Sequence, residues 1–458
     1  MKWLKSKWCK RLALALLGSV IAVVSYGLLQ LEPVALAPVT PSSQPPQFAG
    51  RALLVASDAD MVATAYADGI LDRVTGIEDT LSIIDLPLNA ANPRIWPVPV
   101  SNSVMSWPQI VAVSPNGQRA YVAEVRSRPA EEIQELADID QMPEGSRITV
   151  VDIAAAAPQV IESVNVGRNP EHISISPDGQ LLAINLEDPG RELLLVQLQA
   201  DGTLGKRFYF PMPKDDTRQD NRAAIWHPSG KFLAMTQDNN RRVGFYRVEA
   251  DTSGNLAVTP YSEPLRVGNH LSNARFTADG RFLLVPDLKW STHGIRALNY
   301  LLNPKGEIIA IRFDPELNQV PEVVDRAEVG LSPEGFALSP DNLLIATVNM
   351  RRTYLSPRFP PRWRGKPYSS LSLVKFDPST AQLTPVGEYG FEGLLPEQAT
   401  FDAEGKFLAV VIYNYREESP TTGAVEFWQV IPDRQPRLER TGYQIEVVRG
   451  AHDIVLVP

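Results

Sequence analysis

The chain has 458 residues, of which 44% are hydrophobic and 21% are charged, and its formal net charge is -9. This length and composition are typical of a globular protein with a large core, and the acidic balance gives no general attraction to nucleic acid. The single cysteine, Cys9, lies near the N-terminus, so the rest of the chain is expected to contain no disulfide, thiolate zinc site or thiol nucleophile.

The N-terminus has the pattern of an export signal. Residues 1–11 carry basic side chains and no acid, and residues 12–29 are uncharged. A basic flank before an apolar run directs the following chain across a membrane. The best cleavage site, Ala35-Leu36-Ala37, would leave Pro38 after the cut, which signal peptidase accepts poorly. Residues 1–37 are therefore either a cleaved signal peptide or a retained anchor through 12–29, and both predict a periplasmic or secreted protein.

Residues 38–48 are rich in proline and are expected to be a linker, so that 49–458 form the folded domain. Within that domain one short pattern recurs, in which an apolar strand leads into a turn and a second apolar strand leaves it. Its six copies are SPNGQRAYVA (114–123), SPDGQLLAIN (176–185), HPSGKFLAMT (227–236), TADGRFLLVP (277–286), SPDNLLIATV (339–348) and DAEGKFLAVV (402–411). The spacing leaves room for two more strands in each unit, which predicts four-stranded propeller blades.

The two ends of the domain supply a seventh blade. The segment 49–58 resembles the second strand of a blade whose first strand is missing, and 450–458 resembles a first strand with nothing after it. We therefore predict an all-β, seven-bladed β-propeller of four-stranded antiparallel blades, closed by the C-terminal strand joining the first blade. Closure of this kind removes the exposed sheet edges.

These repeats resemble those of the YVTN-repeat propellers and of the lactonase-like superfamily, which includes 6-phosphogluconolactonase-like proteins. The resemblance covers roughly 48–458 and implies the fold more strongly than it implies a function, because related propellers include lactone hydrolases and surface or adhesion proteins.

Aligning the seven first strands at their turns predicts a ring of polar side chains at one mouth of the central channel. The position six residues before the turn holds Gln109, Glu171, Arg222, Ser272, Glu334, Glu397 and His452. The next position includes His172, Asn273, Gln398 and Asp453.

Three chemical roles are open for this ring. Glu171, Glu334 and Glu397 are candidate ligands for a hard cation such as calcium, although no cofactor is required. Alternatively, one glutamate acts as a general base, with His452 beside it and Arg222 stabilising an oxyanion. The third alternative is that the polar groups only hydrate the channel.

A basic, aromatic loop is the most unusual local feature of this acidic chain. Residues 350–369 contain no acid, and we expect them to bind an anionic small molecule, a glycan, a phospholipid surface or a protein partner, or to pair with the acidic loop 124–146. The candidate ligand-binding residues are Arg351, Arg352, Arg358, Arg362 and Arg364. Loops 58–79 and 288–304 are expected to complete the rim of the same mouth.

The sequence thus favours an exported, monomeric propeller that binds a ligand or partner through this face and channel mouth. The alternative is a lactone hydrolase that uses the glutamate, arginine and histidine ring.

Overall fold

Seven antiparallel sheets are arranged in a ring in the computed structural model, which confirms the predicted seven-bladed β-propeller. The structure describes residues 7–29, 34–40, 44–88, 93–103, 107–212, 223–237, 241–290, 304–358, 364–416 and 419–458.

Each blade consists of four main strands, and the first of them lies nearest the channel. Blade 1 contains β29 (Ala451–Val457), β1 (Ala52–Ser57), β2 (Thr80–Asp85) and β3 (Ile95–Pro99). Blade 2 contains β4 (Val111–Val113), β5 (Arg119–Ala123), β6 (Arg147–Asp152) and β7 (Gln159–Asn165). Blade 3 contains β8 (Pro170–Ile175), β9 (Leu181–Leu186), β10 (Leu193–Leu198) and β11 (Leu204–Phe210). Blade 4 contains β12 (Ala224–Trp226), β13 (Phe232–Gln237), β14 (Arg242–Ala250) and β15 (Leu256–Pro260), with the short β16 (Leu265–Arg266) also on β14.

The remaining three blades follow the same order. Blade 5 contains β17 (Arg275–Phe276), β18 (Phe282–Asp287), β19 (Lys305–Arg312) and β20 (Glu322–Leu331). Blade 6 contains β21 (Pro333–Leu338), β22 (Leu344–Asn349), β23 (Tyr368–Phe376) and β24 (Leu383–Glu392). Blade 7 contains β25 (Ala399–Phe401), β26 (Phe407–Ile412), β27 (Thr422–Ile431) and β28 (Arg437–Val448). The described helices are α1 (Lys7–Leu29), the short α2 (Ala65–Asp68) and a 3-10 turn (Ile139–Gln141).

The second strand of each blade is apolar on both faces, because blades pack against neighbours on both sides. In β1, β13 and β18 every residue is buried. The outermost strand β7 is mostly exposed. This difference explains why the inner strands have continuous apolar runs in the sequence and the outer strands do not.

The turns between first and second strands hold adjacent blades at close range. The Ser176 hydroxyl donates to Asp178 Oδ1 (2.6 Å) and accepts from the Leu181 backbone N–H (2.9 Å). Gly179 has φ +71°, and a Cβ at that position would lie 3.0 Å from Pro115 of the preceding blade. The glycine of the repeat is therefore required both for the turn and for the approach of the next blade.

The C-terminal strand closes the ring as the sequence predicted. β29 pairs antiparallel with β1, in a register that places Ile454 opposite Val55 and Val457 opposite Ala52. First strands begin, and second strands end, at one face of the ring, which we call the top face.

Residues 34–40 and 44–48, which we call the strap, contact the outside of the propeller. The Ala37 backbone N–H donates to the Gly390 carbonyl on blade 6 (2.9 Å), and that of Thr40 donates to the Arg440 carbonyl on blade 7 (2.9 Å). Ala37 is buried, and Phe48 is buried against Phe427 with 5.4 Å between ring centroids. The predicted linker region 38–48 thus contacts the blades in its described parts.

The helix α1 precedes the strap and exposes leucine, valine and isoleucine side chains. Within the part of the chain that the structure describes, no helix is long and apolar enough to cross a membrane.

A candidate active site at the capped end of the channel

The top loops pack into an apolar cap over the polar end of the channel. Side chains from blades 1, 2, 5, 6 and 7 form one buried cluster, and its members include Met61, Leu71, Trp107, Ile139, Leu288, Tyr354, Leu395 and Tyr413. Loop 58–79 and the described part of 288–304 contribute to this cap, where the sequence predicted a rim.

A contact across the channel mouth links blade 2 to blade 5. The Trp107 ring meets the His270 ring edge-on at 5.3 Å, and Asn273 Nδ2 donates to the Pro108 carbonyl (3.4 Å). Gln109 follows with φ +121°, a conformation that is strained for a residue other than glycine. These blades are three positions apart in the ring, so the segment 107–109 reaches over the channel.

The predicted polar ring is therefore buried rather than open. Glu171, Glu334, Glu397, His452, His172, Ser272, Asn273, Gln398 and Asp453 are all buried, and Gln109 is half-buried. Arg222 lies outside the described residues. Glu334 is among the carboxylates that act on Glu397, and Glu171 is not. Among the described residues, the carboxylate oxygens of the three glutamates do not all lie within 4.8 Å of one another, as a shared metal ion would require.

His172 has its two ring nitrogens fixed by neighbours. Nδ1 accepts from the Ala224 backbone N–H (3.3 Å), so Nε2 carries the proton and donates to Gln109 Oε1 (2.5 Å). Burial lowers the pKa of His172 to about 3, and the imidazole is neutral at neutral pH. His172 therefore holds the Gln109 side chain in place.

Unlike His172, His452 has one ring nitrogen without a hydrogen-bond partner among the described residues. Nδ1 donates to the Gly450 carbonyl (3.1 Å), and Nε2 is buried without a hydrogen-bond partner among the described residues. Burial lowers the pKa of His452 to about 4.

Two carboxyl groups beside His452 have raised pKa values. Burial, and then the nearby carboxylates of Glu334, Asp58 and Asp453, raise the pKa of Glu397 well above its usual range, and within the described ranges its buried Oε2 atom has no hydrogen-bond partner. Burial raises the pKa of Asp453 to about 6, although the Val111 backbone N–H donates to its Oδ2 (2.9 Å) and Arg275 opposes the shift. At neutral pH Asp453, with its pKa of about 6, is largely ionised, whereas the raised pKa of Glu397 favours its protonated form.

Arg275 is the functional candidate that the sequence alignment missed. Its side chain is exposed to solvent, yet protein surrounds it, as expected on a channel wall, and burial lowers its pKa. No described residue forms a hydrogen bond or ion pair with its guanidinium group. It stands three residues before the turn, where the other blades have Ala112, Ser174, Ile225, Ala337, Thr400 and Val455. Extending the strand alignment by these positions would have identified it as the one charge at this level.

Three aspartates in the cap, Asp58, Asp60 and Asp79, form a described group with the spacing of metal ligands. Carboxylate oxygens of Asp58, Asp60 and Asp79 lie within 4.8 Å of one another, and oxygen ligands suit a hard cation. Arg73 and Arg128, however, approach Asp60 Oδ1 at 3.7 and 3.5 Å. We assign the group to a network that stabilises loop 58–79, because Arg73 and Arg128 pair with Asp60 while the backbone N–H groups of Ala59, Asn102 and Ser103 donate to Asp79.

The basic loop is less accessible than the sequence suggested. Arg352 and Arg364 are buried, and Arg351 is largely buried with its Nη1 3.8 Å from Glu388 of β24. Arg358 is exposed, and Arg362 lies outside the described residues. Glu388 is outside the acidic loop 124–146 that the sequence proposed as the internal partner.

The fold is that of a seven-bladed propeller, and its capped channel end brings together buried acids, a buried histidine and Arg275. Solved structures with a similar fold include a periplasmic gluconolactonase from Pseudomonas aeruginosa, which matches with a TM-score of 0.60 and 18% identity over 89% of this chain and 99% of that chain. A putative 6-phosphogluconolactonase from Bacteroides uniformis matches with a TM-score of 0.60 and 15% identity, again over 89% and 99%. One from Bacteroides fragilis matches with a TM-score of 0.59 and 14% identity over 92% and 100%.

At these identities the likeness establishes the fold. No protein-family model matches the sequence, and no curated protein matches it.

Proposed function

We propose that the chain is a lactone hydrolase whose active site is the capped end of the channel. The observation that carries the proposal is the pairing of Asp453, largely ionised at neutral pH, with Glu397, whose raised pKa favours the protonated form. The charge of Arg275 acts on Asp453, and its guanidinium group forms no hydrogen bond with a described residue. Two carboxyl groups held in different protonation states supply a general base and a general acid. The names of the structural neighbours support the same chemistry.

The reaction follows from these protonation states. Asp453 accepts a proton from water, and the water oxygen attacks the lactone carbonyl carbon. Arg275 stabilises the negative oxygen of the tetrahedral intermediate. The ring carbon–oxygen bond then breaks, and Glu397 donates its proton to the leaving oxygen to give a hydroxy acid. His452 Nε2 is available to accept a hydrogen bond from a substrate hydroxyl.

The channel is a better candidate site than the basic loop. Among the described arginines of that loop, Arg351, Arg352 and Arg364 are mostly covered by protein, whereas Arg275 in the channel is accessible to solvent. Since the described cap closes the top mouth, substrate would enter from the opposite face.

We also propose that the protein works outside the cytoplasm. The basic flank and the apolar residues 12–29 support export, and the similar protein from Pseudomonas aeruginosa is described as periplasmic.

The test is acid release from a panel of neutral and anionic lactones at controlled pH. We expect kcat/KM to rise with pH through about 6, as Asp453 ionises, and to fall at least about a hundredfold in Asp453→Asn. Arg275→Met should also lose turnover. The matched control is Asp178→Asn, which removes a carboxylate from an exposed turn at the other end of the channel. Equal rates for Asp453→Asn and Asp178→Asn would contradict the proposed site.

A further inference from the structure

The strap fixes where the N-terminal helix leaves the propeller. On blade 6, the Gly390 backbone N–H donates to the Ala35 carbonyl (3.1 Å) and the Gly390 carbonyl accepts from Ala37 (2.9 Å). A Cβ on Gly390 would lie 2.8 Å from the Ala35 oxygen, so the strap is seated closely. Four residues separate α1 from Val34, so the end of α1 is at most ~18 Å from Val34.

The same corner of blade 6 carries the basic loop. Ser370 pairs with Gly390 and Tyr368 pairs with Glu392, so the end of loop 350–369 lies beside the strap. Lys366 is exposed there, and its ammonium group lies 5.4 Å from the centroid of the Tyr368 ring. Arg358 of the same loop is also exposed. Among the residues that the structure describes at this corner, Glu392 is an exposed acid, while the loop itself contains no acid in its sequence.

We propose that this corner of blade 6 is a docking surface for an anionic lipid bilayer, with α1 held in the lipid beside it. Leu12, Leu14, Leu16 and Leu17 of α1 are each at least 50% exposed, and this apolar surface requires a partner. A lipid bilayer explains both features. Its acyl chains would bury the apolar side chains of α1, and its anionic headgroups would attract the exposed cations of the loop. An acidic protein or a glycan would account only for the cations.

This inference rests on the proposed export and is independent of the lactone chemistry. It also predicts that the N-terminal segment is retained, because cleavage after Ala37 would remove strap residues that pair with blade 6.

The test places a fluorophore at the corner and at a distant blade. Cys9→Ser provides a background for labelling at Pro367→Cys on blade 6 or at Lys206→Cys on blade 3, both exposed positions. The full chain is reconstituted in phosphatidylcholine vesicles with or without phosphatidylglycerol, each containing a headgroup-attached quencher. We expect severalfold stronger quenching at position 367 than at 206 when phosphatidylglycerol is present, and a smaller difference in phosphatidylcholine alone.

Charge reversal tests the role of the cations. Arg358→Glu with Lys366→Glu should reduce quenching at position 367 to the level seen without phosphatidylglycerol. The matched control is Lys231→Glu with Arg434→Glu, which reverses two exposed cations on the opposite face. Equal quenching at 367 and 206, or an equal loss in both reversals, would overturn the proposal. Recovery of a mature chain that begins at Pro38 would also overturn it.

Lactone turnover by the protein in the same vesicles is measured separately. If turnover is absent while quenching is still stronger at position 367 than at 206, the result counts only against the channel site.

Discussion

His172 connects the fold and the candidate site through two hydrogen bonds. It accepts from the backbone of blade 4 and donates to Gln109 of blade 2, while belonging to blade 3. The low pKa of this histidine follows from its burial. A buried neutral imidazole must be desolvated without gaining an ionic partner, so acid pH favours the unfolded chain, where the same side chain is protonated.

The His172→Gln substitution tests this pH dependence. The folded pKa of about 3 is below the ordinary value of 6.5, so the unfolded chain binds one more proton below pH 6.5 and stability falls as the pH falls. Between pH 6 and pH 4 the unfolding free energy of the variant, which has no titrating group at position 172, should therefore fall less steeply than that of the wild-type protein, by about 1.4 kcal/mol per pH unit. Urea unfolding of both proteins at several pH values measures the difference. Parallel curves would show that His172 is protonated in the folded protein.

The site residues were only partly predictable from the sequence. The repeat register predicted that Glu334, Glu397 and Asp453 lie at one end of the channel, because equivalent strand positions meet there, and in the structure Glu334 and Asp453 both act on the charge of Glu397. It did not predict the burial of these residues, because the cap is built from loops outside the repeat. The predicted site also omitted Arg275, which stands out only when its position is compared with the equivalent positions of the other six blades, where every residue is uncharged.

At the scale of elements, the strap is part of the folded unit rather than a spacer. Its backbone pairs with the outer strands of blades 6 and 7, and Phe48 fills the core beside Phe427. A proline-rich composition predicted an extended segment and could not show what that segment contacts. Extended backbone with free N–H and C=O groups can pair with the outer edge of a blade.

Phe48→Ala should destabilise the propeller by about 3–5 kcal/mol, because it removes a buried aromatic side chain. Val39→Ala is the matched control in the same segment, since Val39 is 45% exposed and its truncation should change stability by less than about 0.5 kcal/mol. Denaturant unfolding of the two variants compares them directly. Similar small losses would mean that the strap contributes little to the fold.

At the scale of the whole molecule, stability depends on closing the ring. The seven-blade count, the four-stranded blades and the closing strand were all predictable, because the turn chemistry repeats and the terminal segments complement each other. β29 is the innermost strand of blade 1, and without it β1 would present an unpaired apolar edge.

Removing residues 451–458 should therefore produce aggregates or strand-exchanged oligomers rather than a smaller monomer. Removal of Pro458 alone, which is exposed and outside β29, is the control and should leave a monomer. Light scattering after size-exclusion chromatography distinguishes these states. A monomeric, cooperatively folded chain without 451–458 would show that the closing strand is dispensable.

The pairing of β1 with β29 also has a consequence for biosynthesis. The two strands are separated by about 390 residues, so at 5–20 residues per second the ribosome completes β29 roughly 20–80 s after β1. During that interval the first blade has no innermost strand, and its apolar β1 must be protected by other means. The order of synthesis thus makes blade 1 both the earliest to appear and the last to be completed.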